Sequence, residues 1–304
     1  MKINKELMLF SVVSIVFLAG CARAPETPAG AGVIITSFAP DVQSIDPGSI
    51  VTFTVNLKNV GGMRSSTGKA ILFGLSNEWK ILPHADADLK SVPSLAPADP
   101  STGLSGEDVS IDFIATFPSS AAKKTDVSYD ASVRVVYGYS TIADTLLRFV
   151  KADFLRTAPN TPKGIQSFSV TAGPLLVTAS ARTPTIPGTS TTGRVQFEIQ
   201  NIGPGRVVKD IPPEKVIISE ELDVIKTITI TGVGRDGNCA GISADASGTV
   251  TLTDQRLVGG KSKVISCDVV VGDFTNFKDV ALNVKIDYAY FVDSTTRVTV
   301  LKVI

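Results

Sequence analysis

The chain is poor in the residues that most protein chemistry requires. Its 304 residues include one histidine, one tryptophan and three cysteines. A Ser-His-Asp arrangement has only His84 to draw on, and no serine sits in a Gly-x-Ser-x-Gly elbow. Cys21, Cys239 and Cys267 are far apart in sequence, so no Cys-x-x-Cys redox or zinc spacing exists. No Gly-x-x-x-x-Gly-Lys-Ser/Thr loop occurs, and Gly232-Val-Gly234 lies in a strand-like context without a following helix, which reads as a turn. Lys+Arg and Asp+Glu are equal at 29 each, leaving no overall field to attract nucleic acid or an anionic membrane face. There is no Asn-x-Ser/Thr sequon; Asn160-Thr161-Pro162 comes nearest and fails. These absences lead to the expectation of a protein that is no enzyme, needs no cofactor and has no nucleic-acid partner.

What is present begins with an address. Lys2 and Lys5 precede Leu7 to Leu18, an almost wholly apolar run broken by Ser11 and Ser14. The run has the length of a signal-peptide core and falls short of the ~20 residues a spanning helix needs. It ends in Leu18-Ala19-Gly20-Cys21, which resembles the lipobox of prokaryotic lipoproteins. That resemblance implies removal of residues 1–20 and attachment of diacylglycerol to Cys21. Two acyl chains hold a protein stably at a bilayer, where one does not. The bland alternative is an uncleaved anchor helix with an incidental cysteine. Residues 21–32 continue as a small, Pro-rich, non-periodic tether. With Cys21 acylated, Cys239 and Cys267 remain, and an exported compartment permits a disulfide between them; two buried free thiols are the alternative.

Beyond the tether the pattern has period two. Val51, Phe53, Val55 and Leu57 alternate with polar residues, as do Val109 to Phe117 and Val133 to Tyr139. The same alternation returns at Val195 to Ile199, Ile265 to Val271 and Val280 to Tyr290. Such runs are half-buried strands. Asp46-Pro47-Gly48, Gly61-Gly62, Gly203-Pro204-Gly205, Asp236-Gly237-Asn238 and Gly259-Gly260 punctuate them with turn chemistry. The hydrophobic content of 43% and charged content of 19% fit a globular chain.

The two halves share a pattern. Phe53-Thr-Val-Asn-Leu-Lys-Asn59-Val-Gly61 parallels Val195-Gln-Phe-Glu-Ile-Gln-Asn201-Ile-Gly203, and Val133-Arg-Val-Val-Tyr137-Gly-Tyr139 parallels Val284-Lys-Ile-Asp-Tyr288-Ala-Tyr290. Order and spacing agree, which predicts a tandem repeat. The strand ending in Asn-Val-Gly or Asn-Ile-Gly resembles that of CARDB-like domains and related immunoglobulin-like modules of archaeal and bacterial surface proteins. The resemblance implies a seven-stranded sandwich displayed outside the cell, often in adhesion or spacing, with no catalytic residues. The expected fold is therefore all-β: two tandem immunoglobulin-like β-sandwich domains at 33–156 and 165–304, joined by a linker at 157–164. Extra length lies at Asn77 to Asp108 and Ile211 to Gly260. Gly61 and Gly203 are expected to supply positive φ. The tyrosine pairs share one face, either buried with satisfied hydroxyls or exposed for stacking on a sugar.

Candidate sites are few. His84, Asp86 and Asp88 would share a face of an extended segment and could ligate a divalent metal, although a solvated loop is the simpler reading. Asp236, Asn238 and Asp245 could offer oxygens to calcium but lack EF-hand spacing. The final run, Arg297 to Ile304, is expected either to complete the second sandwich or to form an open edge that exchanges strands with a neighbour. The leading expectation is a non-catalytic cell-surface lipoprotein on the outer side of a membrane, acting as an interaction, adhesion or structural module with a protein or glycan partner. The alternatives are a subunit of an envelope assembly (pilus, secretion or surface layer) and a small-ligand or metal-binding lipoprotein. Intact mass of the membrane-extracted protein is expected to show residues 1–20 gone and acyl mass on Cys21, and a retained Met1 without acyl mass would refute that address.

Overall fold

The computed structural model describes residues 31–82, 88–99, 102–122, 124–211 and 221–303. Cys21, His84 and Asp86 lie outside these residues. The first half of the chain forms β1 (Val33–Pro40), β2 (Ser44–Ile45), β3 (Ile50–Asn59), β4 (Gly68–Phe73), β5 (Lys80–Leu82), β6 (Leu89–Val92), β7 (Asp108–Thr116) and β8 (Val127–Lys151). A short helix, α1 (Ala152–Thr157), follows. The second half forms β9 (Gly164–Val170), β10 (Leu175–Ala181), β11 (Thr185–Ile186), β12 (Thr192–Asn201), β13 (Arg206–Val208) and β14 (Val224–Thr231). It ends with β15 (Asn238–Cys239), β16 (Ile242–Ser243), β17 (Val250–Arg256), β18 (Ser262–Val270) and β19 (Phe277–Val300).

The fold is all-β, as the alternation requires. Most expected inward positions are buried: Val51, Phe53, Val55 and Leu57 in β3, Val195, Phe197 and Ile199 in β12, and Ile265, Cys267 and Val269 in β18 are each 0% exposed, while Val109 and Val280 at strand ends are half-buried. Two smaller sheets, β1-β3-β7-β5 and β10-β12-β18-β15-β16, lie on one face of a ten-stranded sheet. The path of that sheet runs β17-β14-β19-β8-β4-β6, with β2, β9, β11 and β13 attached to its two long strands. The result is two sandwiched lobes over one shared sheet.

The shared element is the pair β8 and β19. They are 25 and 24 residues long and pair antiparallel from Phe277↔Val150 to Val300↔Val127. The even residues of β19 and the odd residues of β8 face inward, giving one hydrophobic core that runs through both lobes. The N-terminal lobe thus takes the last part of β19, and the C-terminal lobe takes the last part of β8. The expected boundary at 157–164 is the coil between α1 and β9, where the chain leaves β8. It separates segments of sequence, whereas the packed lobes contain strands from both. The final strand therefore corrects the expectation drawn from the sequence. Residues 291–300 complete the first sandwich, against β8 on one side and β2 at Thr299 and Val300.

The outer face of the ladder is tied across by its own side chains. Arg134 donates to both carboxylate oxygens of Asp293, at 2.8 and 2.6 Å, and Arg148 does the same to Asp279 at 2.7 and 2.7 Å. Arg297 donates to Asp130 at 2.7 Å and Ser140 to Asp287 at 2.6 Å, while Ser128 meets Thr299 and Ser132 meets Thr295. All are directly opposed residues of the register. Solvent screens such exposed pairs, so each adds little stability by itself. The guanidinium of Arg134 also stacks 4.3 Å over Phe291 and that of Arg148 4.3 Å over Phe277.

In the C-terminal lobe Cys239 and Cys267 are cross-strand neighbours and form a disulfide, resolving the choice between bridge and free thiols. The bridge closes a loop of sequence separation 28. The chain-entropy model gives about 3–4 kcal/mol for that closure. It fastens the β15–β16 hairpin to β18 and thereby holds the inserted segment.

Trp79, the single tryptophan, packs in the N-terminal lobe with ring centroids 5.4 Å from Phe117 and 5.7 Å from Tyr129. Ending the chain after Tyr290 removes the N-terminal lobe's share of β19. Trp79 emission is then expected to shift to the red and its unfolding transition to vanish. A native emission maximum with a cooperative melt would show that the lobe closes without β19.

Candidate functional site

The middle of the ladder is the one place where both halves bring their repeated motifs together. Tyr137 stands opposite Tyr290, and Tyr139 opposite Tyr288. Their rings form a closed circuit with centroid separations of 6.1 to 6.4 Å. All four point inward, as period two requires. The exposed, sugar-stacking alternative for these tyrosines does not hold: Tyr139 is the most exposed of them at 4%.

Each hydroxyl finds a partner. Tyr137 accepts from the Val33 amide at 3.0 Å and donates to the Val33 carbonyl at 3.0 Å. Tyr139 accepts from the Met63 amide at 3.1 Å and donates to the Ala172 carbonyl at 3.3 Å. Tyr288 meets the Thr141 hydroxyl at 2.9 Å. Tyr290 accepts from the Gly205 amide at 2.8 Å and donates to Asn201 Oδ1 at 3.0 Å. The repeated asparagines do the same work in each half. Asn59 Nδ2 donates to the Met63 and Leu95 carbonyls while its Oδ1 accepts from Gly61 N. Asn201 Nδ2 donates to the Gly205 carbonyl and its Oδ1 accepts from Gly203 N. The Asn-x-Gly motif is thus an asparagine-closed turn that places an amide over a tyrosine. The expectation of positive φ at Gly61 and Gly203 is corrected, since neither is among the positive-φ glycines. Gly61 is required for space, because a Cβ there would strike the Tyr139 hydroxyl.

Burial sets the chemistry of this cluster. It pushes Tyr137 well above the ordinary value, with the neighbouring Tyr288 and Tyr290 adding to the effect. It raises Tyr139 and Tyr288 too, and lifts Tyr290 to about 12. These are neutral, structural hydroxyls rather than acids or bases at physiological pH.

Over the outer face of the same region lies a shallow cleft of ≈ 380 Å³, lined by Arg64, Ser66, Lys209, Asp210, Lys226 and Asp287 among others. Its ions are mostly neutralised locally: Lys226 pairs with Asp210 at 2.6 Å, Lys209 with Asp254 at 3.0 Å and Lys285 with Asp287 at 3.0 Å. These residues are scattered through the sequence, and no pattern in it singles them out. Among the described residues no three His, Cys, Asp or Glu side chains converge on a metal position. Asp88 is the one described member of the proposed metal trio, and its carbonyl accepts from Leu72 N at 2.8 Å. The calcium candidates do not converge either. Asp245 Oδ1 caps a turn through Ser247 and Thr249, which lowers its pKa, while Asn238 turns to Asp268.

No protein-family model and no curated protein sequence matches the chain. Among solved structures, the secreted serine protease VesC from Vibrio cholerae is 8% identical, with 84% of this chain and 50% of that chain covered and a TM-score of 0.21. The serine-rich repeat adhesion glycoprotein Srr1 from Streptococcus agalactiae is 7% identical, with 83% and 96% covered and a TM-score of 0.18. The collagen adhesin CNA from S. aureus is 12% identical, with 90% and 94% covered and a TM-score of 0.14. The chain spans half the length of the VesC chain it matches. Likenesses at these scores carry no argument about activity.

The raised tyrosines make stability depend on pH with a definite sign. A folded pKa above the unfolded value of about 10 contributes stability that is full below pH 10 and lost as pH rises past it. Spectrophotometric titration is expected to leave these four of the five tyrosines un-ionised until the protein unfolds in alkali; three or more titrating reversibly near pH 10 in the folded state would contradict the burial. Asn59→Ala, which strands buried backbone groups, is expected to lower unfolding free energy by about 2–3 kcal/mol in a denaturant melt.

Proposed function

We propose that this protein is a non-catalytic, exported lipoprotein whose body serves as a stiff structural or interaction module at a cell surface. The observation that carries the reading is the unbroken β8–β19 ladder. A strand rises about 3.3 Å per residue, so the 24 residues of β19 span about 75–80 Å when extended. Both lobes pack on that one ladder, so they cannot rock about a linker as beads on a string do. Rigid reach is what a display or spacing element needs, and a chemically self-satisfied centre suits it. On this reading the two halves are copies of one CARDB-like module that exchange their last strands.

The disulfide supports an oxidising, exported setting. Among the described residues no helix is long and apolar enough to cross a membrane. Attachment is assigned to a lipid on Cys21 because Leu18-Ala19-Gly20-Cys21 resembles a lipobox. The described chain starts at the waist, where a Cβ on Gly32 would sit 3.0 Å from the Tyr137 hydroxyl. Residues 22–31 can stretch at most about 35 Å. The tether therefore joins the body near its middle.

The test has two arms. Cys21→Ala is expected to move the protein from the membrane fraction to the soluble fraction, and unchanged partition would remove the lipid anchor from the reading. Small-angle scattering of the delipidated protein is expected to fit one rigid elongated body. A profile that requires two independently moving lobes would overturn the spacer role. Cross-linking from envelope fractions then identifies the partner class.

A further inference from the structure

The two lobes are not equally complete. In the C-terminal lobe the outer edge of β8 is closed by β9, which pairs antiparallel from Ala143↔Val170 to Arg148↔Gly164. The tyrosine alignment (Tyr137 with Tyr288, Tyr139 with Tyr290) makes residues 294–299 of β19 the counterpart of that edge. There, among the described residues, no strand pairs with β19 between β13, which ends at Phe291, and β2, which begins at Thr299.

The open groups can be named. Thr299 N donates to the Gln43 carbonyl at 2.8 Å and Leu301 N to the Ile45 carbonyl at 2.9 Å, so odd residues here aim their backbone away from β8. Alternation then directs the amides and carbonyls of Asp293, Thr295 and Arg297 to the open edge. All three residues are exposed. The inward side chains carry the same mark. Ala143 and Thr145 are 0% and 3% exposed beneath β9, whereas their counterparts Ser294 and Thr296 are half-buried.

We propose that this gap is a docking slot for one extended segment of a partner polypeptide, added as an antiparallel strand to β19. The strand β9 shows what fits: about six residues that set Ile165, Phe168 and Val170 on the inward side of the register, the first two still exposed at the edge, with small polar ones such as Ser167 and Ser169 on the other side. Two other occupants fit poorly. A second copy cannot lay its own β19 in the slot, because its β2 and β13 bracket that edge and would meet those of the first copy. The residues before Ala31 carry Pro25 and Pro28, an odd and an even position. A stretch that contained both would present one of them to β19 without an N–H. The inference stands on the fold and does not need the lipid anchor.

The probe is a fluorescent peptide with the sequence of residues 161–173, added to the full chain extracted in detergent. Saturable binding is expected, with slowed amide hydrogen exchange at Asp293, Thr295 and Arg297. Thr295→Pro removes an edge amide and is expected to weaken binding at least tenfold; Trp79 emission confirms that this variant is folded. If that variant unfolds, a peptide with proline at the position of Ser169, whose amide faces β8 in the Asp144↔Ser169 pair, supplies the same comparison and is expected to bind at least tenfold more weakly. No binding at millimolar peptide, undiminished binding in the proline comparison, or protection at another edge would overturn the slot. Edge amides already protected in the free chain, and exposed by deleting residues 22–30, would overturn the partner assignment in favour of the chain's own N-terminal segment. Concentration-dependent dimers that protect the same amides would overturn it in favour of a second copy.

Discussion

Everything in this molecule hangs on the antiparallel register between β8 and β19. One slip of a single residue would turn the inward faces of both strands outward and strip the core from both lobes at once. The register is fixed from both sides. Inside, a mostly apolar file of Val, Ile, Leu, Phe and Tyr meets the two smaller sheets. Outside, opposed pairs such as Arg134 with Asp293 and Arg148 with Asp279 match only in the observed alignment. Individually these exposed pairs contribute little to stability. Their value lies in selecting one alignment among the many that a repetitive strand pair could adopt.

The tyrosine circuit is the point where register and lobe packing are joined. Its hydroxyls reach out of the ladder to the start of β1, to the turns that follow β3 and β12, and to the stretch before β10. A buried hydroxyl without a partner is costly, so each of these segments is constrained to arrive at the same place. The asparagines that begin the Asn-x-Gly turns complete the arrangement from the other side. Gly138 belongs to it too, since a Cβ there would collide with the Ser66 hydroxyl that receives the Gly138 amide.

Much of the fold was legible because its inward faces are apolar. The runs at Val51–Leu57, Val195–Ile199 and Ile265–Val271 read as strands and are strands. The ladder's true length was not legible. Past Tyr139 the inward residues include Thr141 and Thr145, and past Tyr290 they include Ser294 and Thr296, so the contrast between faces fades where the strands continue. Partners that lie more than 120 residues apart, as Val150 and Phe277 do, leave no local signal of their pairing, which is why the crossing of lobes was invisible. The repeated Asn-x-Gly and Tyr-x-Tyr motifs did mark the centre, though the glycine's reason was steric contact and not backbone freedom. The candidate metal residues His84 and Asp86 lie outside the described residues, and the ions of the outer cleft share no spacing that a linear reading could find.

The chain's last strand belongs to its first lobe, and that fixes an order of events in biogenesis. A polypeptide delivered from its N-terminus emerges with β1 to β7 first, yet the sheet they cover is missing a member until residues 291–300 arrive. The N-terminal lobe must wait, partly open, until more than a hundred further residues have been made. Closure of the N-terminal lobe is then a late event, and a stop just before residue 291 leaves that lobe open to proteolysis.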